Sequence, residues 1–389
     1  MPIKNRFAEL LPEITAWRQD IHCHPELGFE ETRTAALVAD KLRAFGCDEV
    51  VTGVGQTGVV GVIRGKSDSR GHVIGLRGDM DALPICEESG AAYASQTPGV
   101  MHACGHDGHT AMLLGAARYL AETRNFDGTV VLLFQPAEEL GSGAKGMIDD
   151  GVMDRFGVQE VYGMHNMPGL PVGQFAIRPG ALMAATDEFF IEVTGRGGHA
   201  AKPNEAIDPT VTASQIILAL QTIVSRNADP IAQGVISVTS VDTSSHAYNV
   251  IAQSITLRGT VRTHSAQMQD MIEARLGEVA RGIAQGFGAV AEVTYLRHVP
   301  ITINAEEPTA FATGIAKAVS GGCAEAELIM GGEDFSYMLE ARPGAFIFVG
   351  NGDSAALHHP KYNFEDEAIL AGCSWFAELV ERRMPPAQA

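Results

Sequence analysis

Basic residues are in short supply: 28 Lys and Arg stand against 47 Asp and Glu, a formal net charge of −19 over 389 residues. A chain so poor in positive charge has little with which to neutralise phosphates, which argues against nucleic acid as a partner. The excess carboxylates read as a solvated surface that maintains solubility, not as a site for a cationic substrate. Long apolar runs are also missing. No segment approaches the ~20 apolar residues a membrane span needs, so no membrane partner is expected. The opening MPIKNRFAELLPEITAWRQDIHCHPE has the spacing of an amphipathic helix and lacks the unbroken apolar stretch of a signal peptide. The six cysteines, at 23, 47, 86, 104, 323 and 373, are scattered without framework spacing, which speaks against a disulfide scaffold in a chain of this length. A cytoplasmic location is the expectation. There is no internal repeat, and only Pro385 to Ala389 read as a frayed tail.

Hydrophobic residues at 46% and charged residues at 19% describe a globular chain long enough for two domains. In the first half, short apolar runs alternate with helical spacing. The runs His72–Arg77, Thr129–Phe134 and Glu160–Met164 end respectively in Gly78-Asp79-Met80-Asp81, in Gln135-Pro136 followed by Glu138-Glu139, and in His165. Between the first two, Met112, Leu113, Ala116, Ala117 and Leu120 mark one face of a helix. This pattern predicts an α/β fold with a largely parallel or mixed sheet. The middle of the chain changes character. Strands over 187–194, 235–241, 254–262 and 289–295 are interleaved with a helix opened by Asp208-Pro209 and a long helix over 265–287. The order β-α-β-β-α-β is that of a ferredoxin-like unit. The predicted organisation is therefore a discontinuous domain, 1–185 with 300–389, interrupted by an inserted domain at 186–299.

Four segments collect residue types that belong together at a metal site. In His102-Ala103-Cys104-Gly105-His106-Asp107-Gly108-His109, Cys104 and His106 flank a glycine just before a helix, so a thiolate and an imidazole can converge on one cation. Glu138-Glu139 follows a buried strand, His165 ends another, and His358-His359-Pro360 lies far along the chain. The carboxyl ends of strands are where open α/β sheets place their sites. Each piece alone has a plainer reading: a packed cysteine, a solvated acidic face, a histidine with an ordinary hydrogen bond. Together they offer thiolate, imidazole and carboxylate ligands and one spare carboxylate. Metal-assisted hydrolysis needs such a base, one not itself engaged by metal. Asp107 and His109 would support the ligands by hydrogen bonding. His22, His24, His72, His246, His264 and His298 read as surface or satisfied loop histidines, and the other cysteines as packing.

The segments LRGDMDALP, HACGHDGHTAMLLGAA, LLFQPAEELGSGAKGMIDDGV, GMHNMPGLPVG, TGRGGHAAKP and GGEDFS resemble, in order and over essentially the whole chain, the hippurate hydrolase and auxin-conjugate hydrolase branch of the dinuclear aminoacylase/carboxypeptidase family. The resemblance implies a two-domain, mixed-sheet α/β metallohydrolase whose inserted ferredoxin-like (βαββαβ) domain acts as lid and dimerisation domain. It implies metal ligands at Cys104, His106, Glu139, His165 and His358, with Glu138 as general base and acid. Asp79 matches an aspartate that orients a ligand or the base. His199 matches a histidine that reaches an active site, from the partner subunit in dimeric relatives, to stabilise the oxyanion. Asn249 and Arg262 match residues that hold the substrate carboxylate. Arg77 stands where more distant relatives have a histidine ligand, a change shared by the cysteine-containing branch. Two departures are notable: Met167 replaces a common tryptophan, and His359 follows His358 where serine or asparagine is usual.

The implied reaction is hydrolysis of an N-acyl amino acid, hippurate-like, to a carboxylic acid and a free amino acid. Two divalent ions per subunit would assist, manganese or zinc, with cobalt or nickel as substitutes. A homodimer through the lid is implied, with a tetramer as the larger arrangement. Two rivals belong to other classes. A cysteine-nucleophile hydrolase built on Cys104 leaves the paired glutamates unexplained. A non-catalytic ligand-binding homologue would be expected to lack the spare glutamate or a ligand, and both are here.

Overall fold

The computed structural model describes residues 5–386, and part of the expected C-terminal tail, 387–389, lies outside them. The chain is mixed α/β and divides into two compact units. One holds the chain up to Leu182, Thr302–Glu327 and the chain from Glu333; the other holds Met183–Ile301 and Leu328–Gly332.

The first unit is built on an eight-stranded mixed sheet in the order Glu49–Val54, Gly58–Arg64, Thr129–Gln135, Val73–Asp79, Glu160–Met167, Gly344–Gly350, Phe175–Ile177, Ala324–Glu325. Its middle four strands, Thr129–Gln135 to Gly344–Gly350, run parallel. Parallel strands buried on both faces are apolar without alternation. Val130 to Gln135 and every residue of Gly344–Gly350 are accordingly buried. The helix His106–Thr123 packs with Asn5–Cys23 and Ala368–Arg383 in a single core that includes Phe7, Ile14, Met112, Leu120 and Trp375. Parallel order places the carboxyl ends of Val73–Asp79, Thr129–Gln135 and Glu160–Met167 along one edge, with Asp79 opposite Gln135 and Arg77 opposite Gly163. The strand at 160 runs to Met167, past the expected end at Met164, because Gly344–Gly350 pairs with it as far as Met167 opposite Gly350. His165 therefore lies within a strand.

The second unit is a four-stranded antiparallel sheet in the order Gly234–Thr243, Ser254–Thr263, Ala185–Thr194, Val290–Val299. With helices Pro209–Thr222 and Ala266–Gly286, the chain order is β-α-β-β-α-β. Both helices start on side-chain caps, Asp208 accepting from Thr210 N and Ser265 from Met268 N. Their apolar faces and the sheet form a second core that includes Phe189, Ile216, Leu257 and Leu276. No helix among the described residues is long and apolar enough to cross a membrane.

Candidate metal centre and active site

The loop before His106–Thr123 turns at Gly105, which sits at φ +86°. A Cβ there would lie 2.4 Å from both Asn166 Nδ2 and Tyr362 Oη, so both conformation and space require glycine. The turn aims Cys104 and His106 into one volume, where Cys104 Sγ is 3.4 Å from His165 Nε2. All three are buried, with potential donor atoms within 4.8 Å of one another.

The strand Thr129–Gln135 exits through Pro136 and Ala137 to Glu138 and Glu139. Ala137 is in the left-handed region at φ +47°. The Glu139 carboxylate lies 3.2 Å from His358 Nε2, and Glu138 Oε2 lies 3.9 Å from His106 Nε2. Cys104–Glu139–His358 and His106–Glu138–Glu139 are each a set with donor atoms within 4.8 Å. His358 is held at φ +63° with its N–H donating to Ala103 O at 2.8 Å, while His359 Nδ1 accepts from Lys361 N. Of the two neighbouring histidines, His358 joins the cluster.

The donors suit a divalent cation. His106 Nδ1 meets Asp81 Oδ1 at 3.1 Å, and His165 Nδ1 meets the Asn166 carbonyl at 2.7 Å. An acceptor on each Nδ1 assigns the proton there and leaves the Nε2 lone pair facing the cluster. His106 Nε2 is buried with no hydrogen-bond partner, as a nitrogen reserved for a metal would be. Burial, with the Glu139 and Glu138 charges, pushes the Cys104 thiol well above its usual range. Burial resists charging His106, yet Asp79 and Asp81 raise it to about 10. Burial and the neighbouring His109 push His165 well below its usual range. A cation among these groups would take the place of the protons on Cys104 and His106.

Behind the cluster lies a buried ionic layer. The fully buried Arg77 donates to Gln135 Oε1, Asp79 Oδ2 and Glu333 Oε1, each at 2.8 Å, and to Asp334 Oδ1 at 3.3 Å. Asp79 also meets His109 Nδ1 at 2.6 Å and lies 3.5 Å from His106 Nε2. Burial raises Asp334 to about 8, with Glu333 adding to the effect. Burial, then the charges of Glu333 and Glu139, push Glu138 well above the usual carboxylate range. Several of these partners escaped sequence reasoning. Asp81 stands two residues beyond Asp79 and both bonds the ring of His106 and accepts from Glu139 N; the alternation in RGDMD was its signal. Glu333 and Asp334 were marked only by the GGEDFS segment. Asn166, which bonds Cys104 O, His109 and Tyr362, had no signal beyond its place after His165.

His22 is satisfied as expected, but it is neither a surface nor a loop histidine. It is fully buried in the first helix, with Nδ1 at 2.8 Å from Asp107 Oδ2 and Nε2 at 3.2 Å from Glu87 Oε1. Arg18 donates to the same Asp107 oxygen at 3.2 Å. An amphipathic pattern places His22 inward but cannot show which carboxylates await it. Burial opposes its charge, but Asp107 and Glu87 raise it to about 9 from 6.5. Its stabilising contribution is therefore complete below about pH 6.5 and lost as pH rises through 9. The stability difference between wild type and His22→Gln should shrink by roughly 2–3 kcal/mol from about pH 6 to about pH 10. Urea unfolding of both proteins measures it, and a pH-independent difference would refute the assignment.

His199, Asn249 and Arg262 all lie in the second unit. His199 sits in a two-residue strand paired with Val250–Ile251, and Ala200 N donates to Asn249 O at 3.0 Å. His199 and Asn249 line one cavity of about 510 Å³ together with Gly197, Ser244 and Ser245. Arg262 is half-buried and lies outside that lining; its guanidinium donates to Thr260 Oγ1 and to Val261 O.

The model of Peptidase family M20/M25/M40 matches residues 75–382. The chain belongs to this family. Similar proteins include the hippurate hydrolase of Campylobacter jejuni, 42% identical over 375 residues covering 95% of this chain and 96% of the relative. An N-acetylcysteine deacetylase of Bacillus subtilis is 39% identical over 363 residues, 93% of this chain and 94% of that one. Among solved structures, a dinuclear metal-binding M20 peptidase of Bacillus subtilis superposes with a TM-score of 0.86 at 36% identity, covering 97% of this chain and 99% of that one. This M20 member is a hydrolase of amide bonds with a mixed α/β fold.

Proposed function

We propose that this M20 hydrolase cleaves N-acyl amino acids, hippurate-like, with the help of two divalent ions, manganese or zinc. One observation carries the reading: Cys104, His106, Glu139, His165 and His358 converge, and Glu138 stands among them as a further carboxylate. Two sets of donors sharing Cys104, and the likeness to a dinuclear relative, support a pair of ions. When bound, the ions supply Lewis acidity toward the amide carbonyl and the attacking water.

The remaining chemistry belongs to the chain. Glu138 takes a proton from the attacking water and delivers it to the leaving nitrogen; burial shifts its carboxyl upward, the direction that favours holding a proton between the two steps. Asp81 and the Asn166 carbonyl hold the ligating rings of His106 and His165 in the required tautomer. Asp79, bonded to Arg77 and His109, fixes the supporting layer. To the second unit we assign the roles implied by family likeness: His199 stabilises the oxyanion, and Asn249 and Arg262 hold the substrate carboxylate. The same likeness supports a lid and homodimer function for that unit. Six free cysteines fit a reducing, cytoplasmic setting. A nucleophilic Cys104 is disfavoured, because reactive thiols have depressed pKa values and this one is raised.

Purified protein offered hippurate and a panel of N-acetyl amino acids should release free amino acid. A chelator should abolish release, and added manganese or zinc should restore it. Chelator-resistant turnover by protein shown to be metal-free would overturn the proposal in favour of Cys104.

A further inference from the structure

We propose that Glu31 is a positioning residue for the Glu138–Glu139 pair, holding in place the left-handed turn that presents both carboxylates. This rests on the reading of Glu138 as base and Glu139 as ligand. Glu31 is fully buried, 107 residues before Glu138 in the chain. Its Oε1 accepts from Ala137 N at 2.8 Å, and its Oε2 accepts from the Thr57 hydroxyl at 2.6 Å. Ala137 is the residue at φ +47°, immediately before the pair. A non-glycine residue there costs of order 1–2 kcal/mol and persists only when its surroundings impose it.

The local wiring shows that Glu31 is committed to this turn. It stands at the N-cap of the helix Thr32–Phe45, yet its side chain accepts from none of the first helical N–H groups. Glu26 does that work instead, accepting from Arg33 N at 2.9 Å and Thr34 N at 2.8 Å. Glu31 is thereby released to reach Ala137. The segment carrying both glutamates also lies close to the turn: a Cβ on Gly28 would be 3.0 Å from Ala137 Cβ and from Leu140 Cδ1. On its other side, Ala82 N donates to Glu26 O at 2.9 Å, next to the Asp81 that bonds His106. One short segment therefore braces both the base-bearing turn and the loop that orients a ligand.

The test compares Glu31→Ala, Glu31→Gln, Glu31→Ala with Ala137→Gly, and Glu138→Gln. It reads kcat and KM on the best substrate of the hippurate panel, and zinc affinity by competition with a chelating dye. Glu31→Ala should lower kcat by about 10- to 100-fold with KM within about twofold, and should weaken zinc binding about tenfold. Glu31→Gln keeps an acceptor for Ala137 N and should stay within about threefold of wild type on both readouts. Adding Ala137→Gly should recover much of the loss, because glycine adopts the left-handed turn without a brace.

A folded Glu31→Ala with wild-type kcat and zinc affinity overturns the proposal. So does a loss that the glycine fails to relieve and that Glu31→Gln shares. If Glu31→Ala does not fold, Thr57→Val decides: wild-type zinc affinity overturns, and a decline relieved by Ala137→Gly supports. If the wild type cleaves no member of the panel, zinc affinity and its rescue decide alone. An active Glu138→Gln would instead sink the reading of Glu138 as base, whatever Glu31 does.

Discussion

Glu138→Gln loses turnover by about 100- to 10,000-fold while it keeps its metal and its fold. The substitution preserves shape and removes the ability to accept a proton from water. Glu138 is 11% exposed at the side chain and 3.9 Å from His106 Nε2, in a set that also contains Glu139. A ligand lost from that set would lower metal content, whereas a lost base would not. Metal analysis beside the rate therefore separates the two roles. Stability should hold or rise, because the amide removes one of several mutually repelling carboxylates: Glu333, Glu139 and Asp334 all push Glu138 toward its neutral form. Gains of this kind are common where a site keeps strain for function. Turnover within about threefold of wild type, with metal bound, would remove Glu138 from the mechanism.

Arg77→Met should destabilise the protein by about 3–5 kcal/mol, the typical cost of leaving buried charge without its partner. Arg77 is the cation facing Asp79, Glu333 and Asp334 at 2.8, 2.8 and 3.3 Å, and all four side chains are within 1% of full burial. Methionine fills much of the volume but supplies no donor. Lysine restores the charge, yet one ammonium cannot reproduce the fork that reaches Gln135 and three carboxylates at once. The double substitution Arg77→Met with Glu333→Gln should cost less than the sum of the single changes, since it removes one of the stranded charges. Urea unfolding measures both. Additivity within about 0.5 kcal/mol would show that Arg77 and Glu333 do not interact as drawn.

Much of the candidate site was legible because its residue types are chemically rare in combination. A cysteine and a histidine about a glycine, an adjacent pair of glutamates after a buried strand, and a histidine at the end of another have few joint explanations. Their partners were less legible. Glu333 and Asp334 are marked in the sequence only by their place in GGEDFS, and folding alone sets them against Arg77 from 256 and 257 residues away. His22 was misread for the same reason: its carboxylates, Glu87 and Asp107, come from other parts of the chain. Glu31 carried no local signal, since the Ala137 N–H it accepts from lies 106 residues further along the chain.

Composition and periodicity, together with the family resemblance, determined the α/β class and the βαββαβ order of the middle segment. They also pointed to amide chemistry and to a set of residue types suited to a divalent cation, because metal affinity acts on residue type and short spacing. Only the tertiary structure decided that Gly344–Gly350 lies beside Glu160–Met167 and carries that strand past His165. It set His358, the histidine the family resemblance implies, against Glu139, and it alone decided that Asp81 orients His106 and that Glu31 holds Ala137. These are pairings between segments far apart in the chain. Which acceptor a buried donor finds is set by sheet register and packing, and no local pattern encodes that distance.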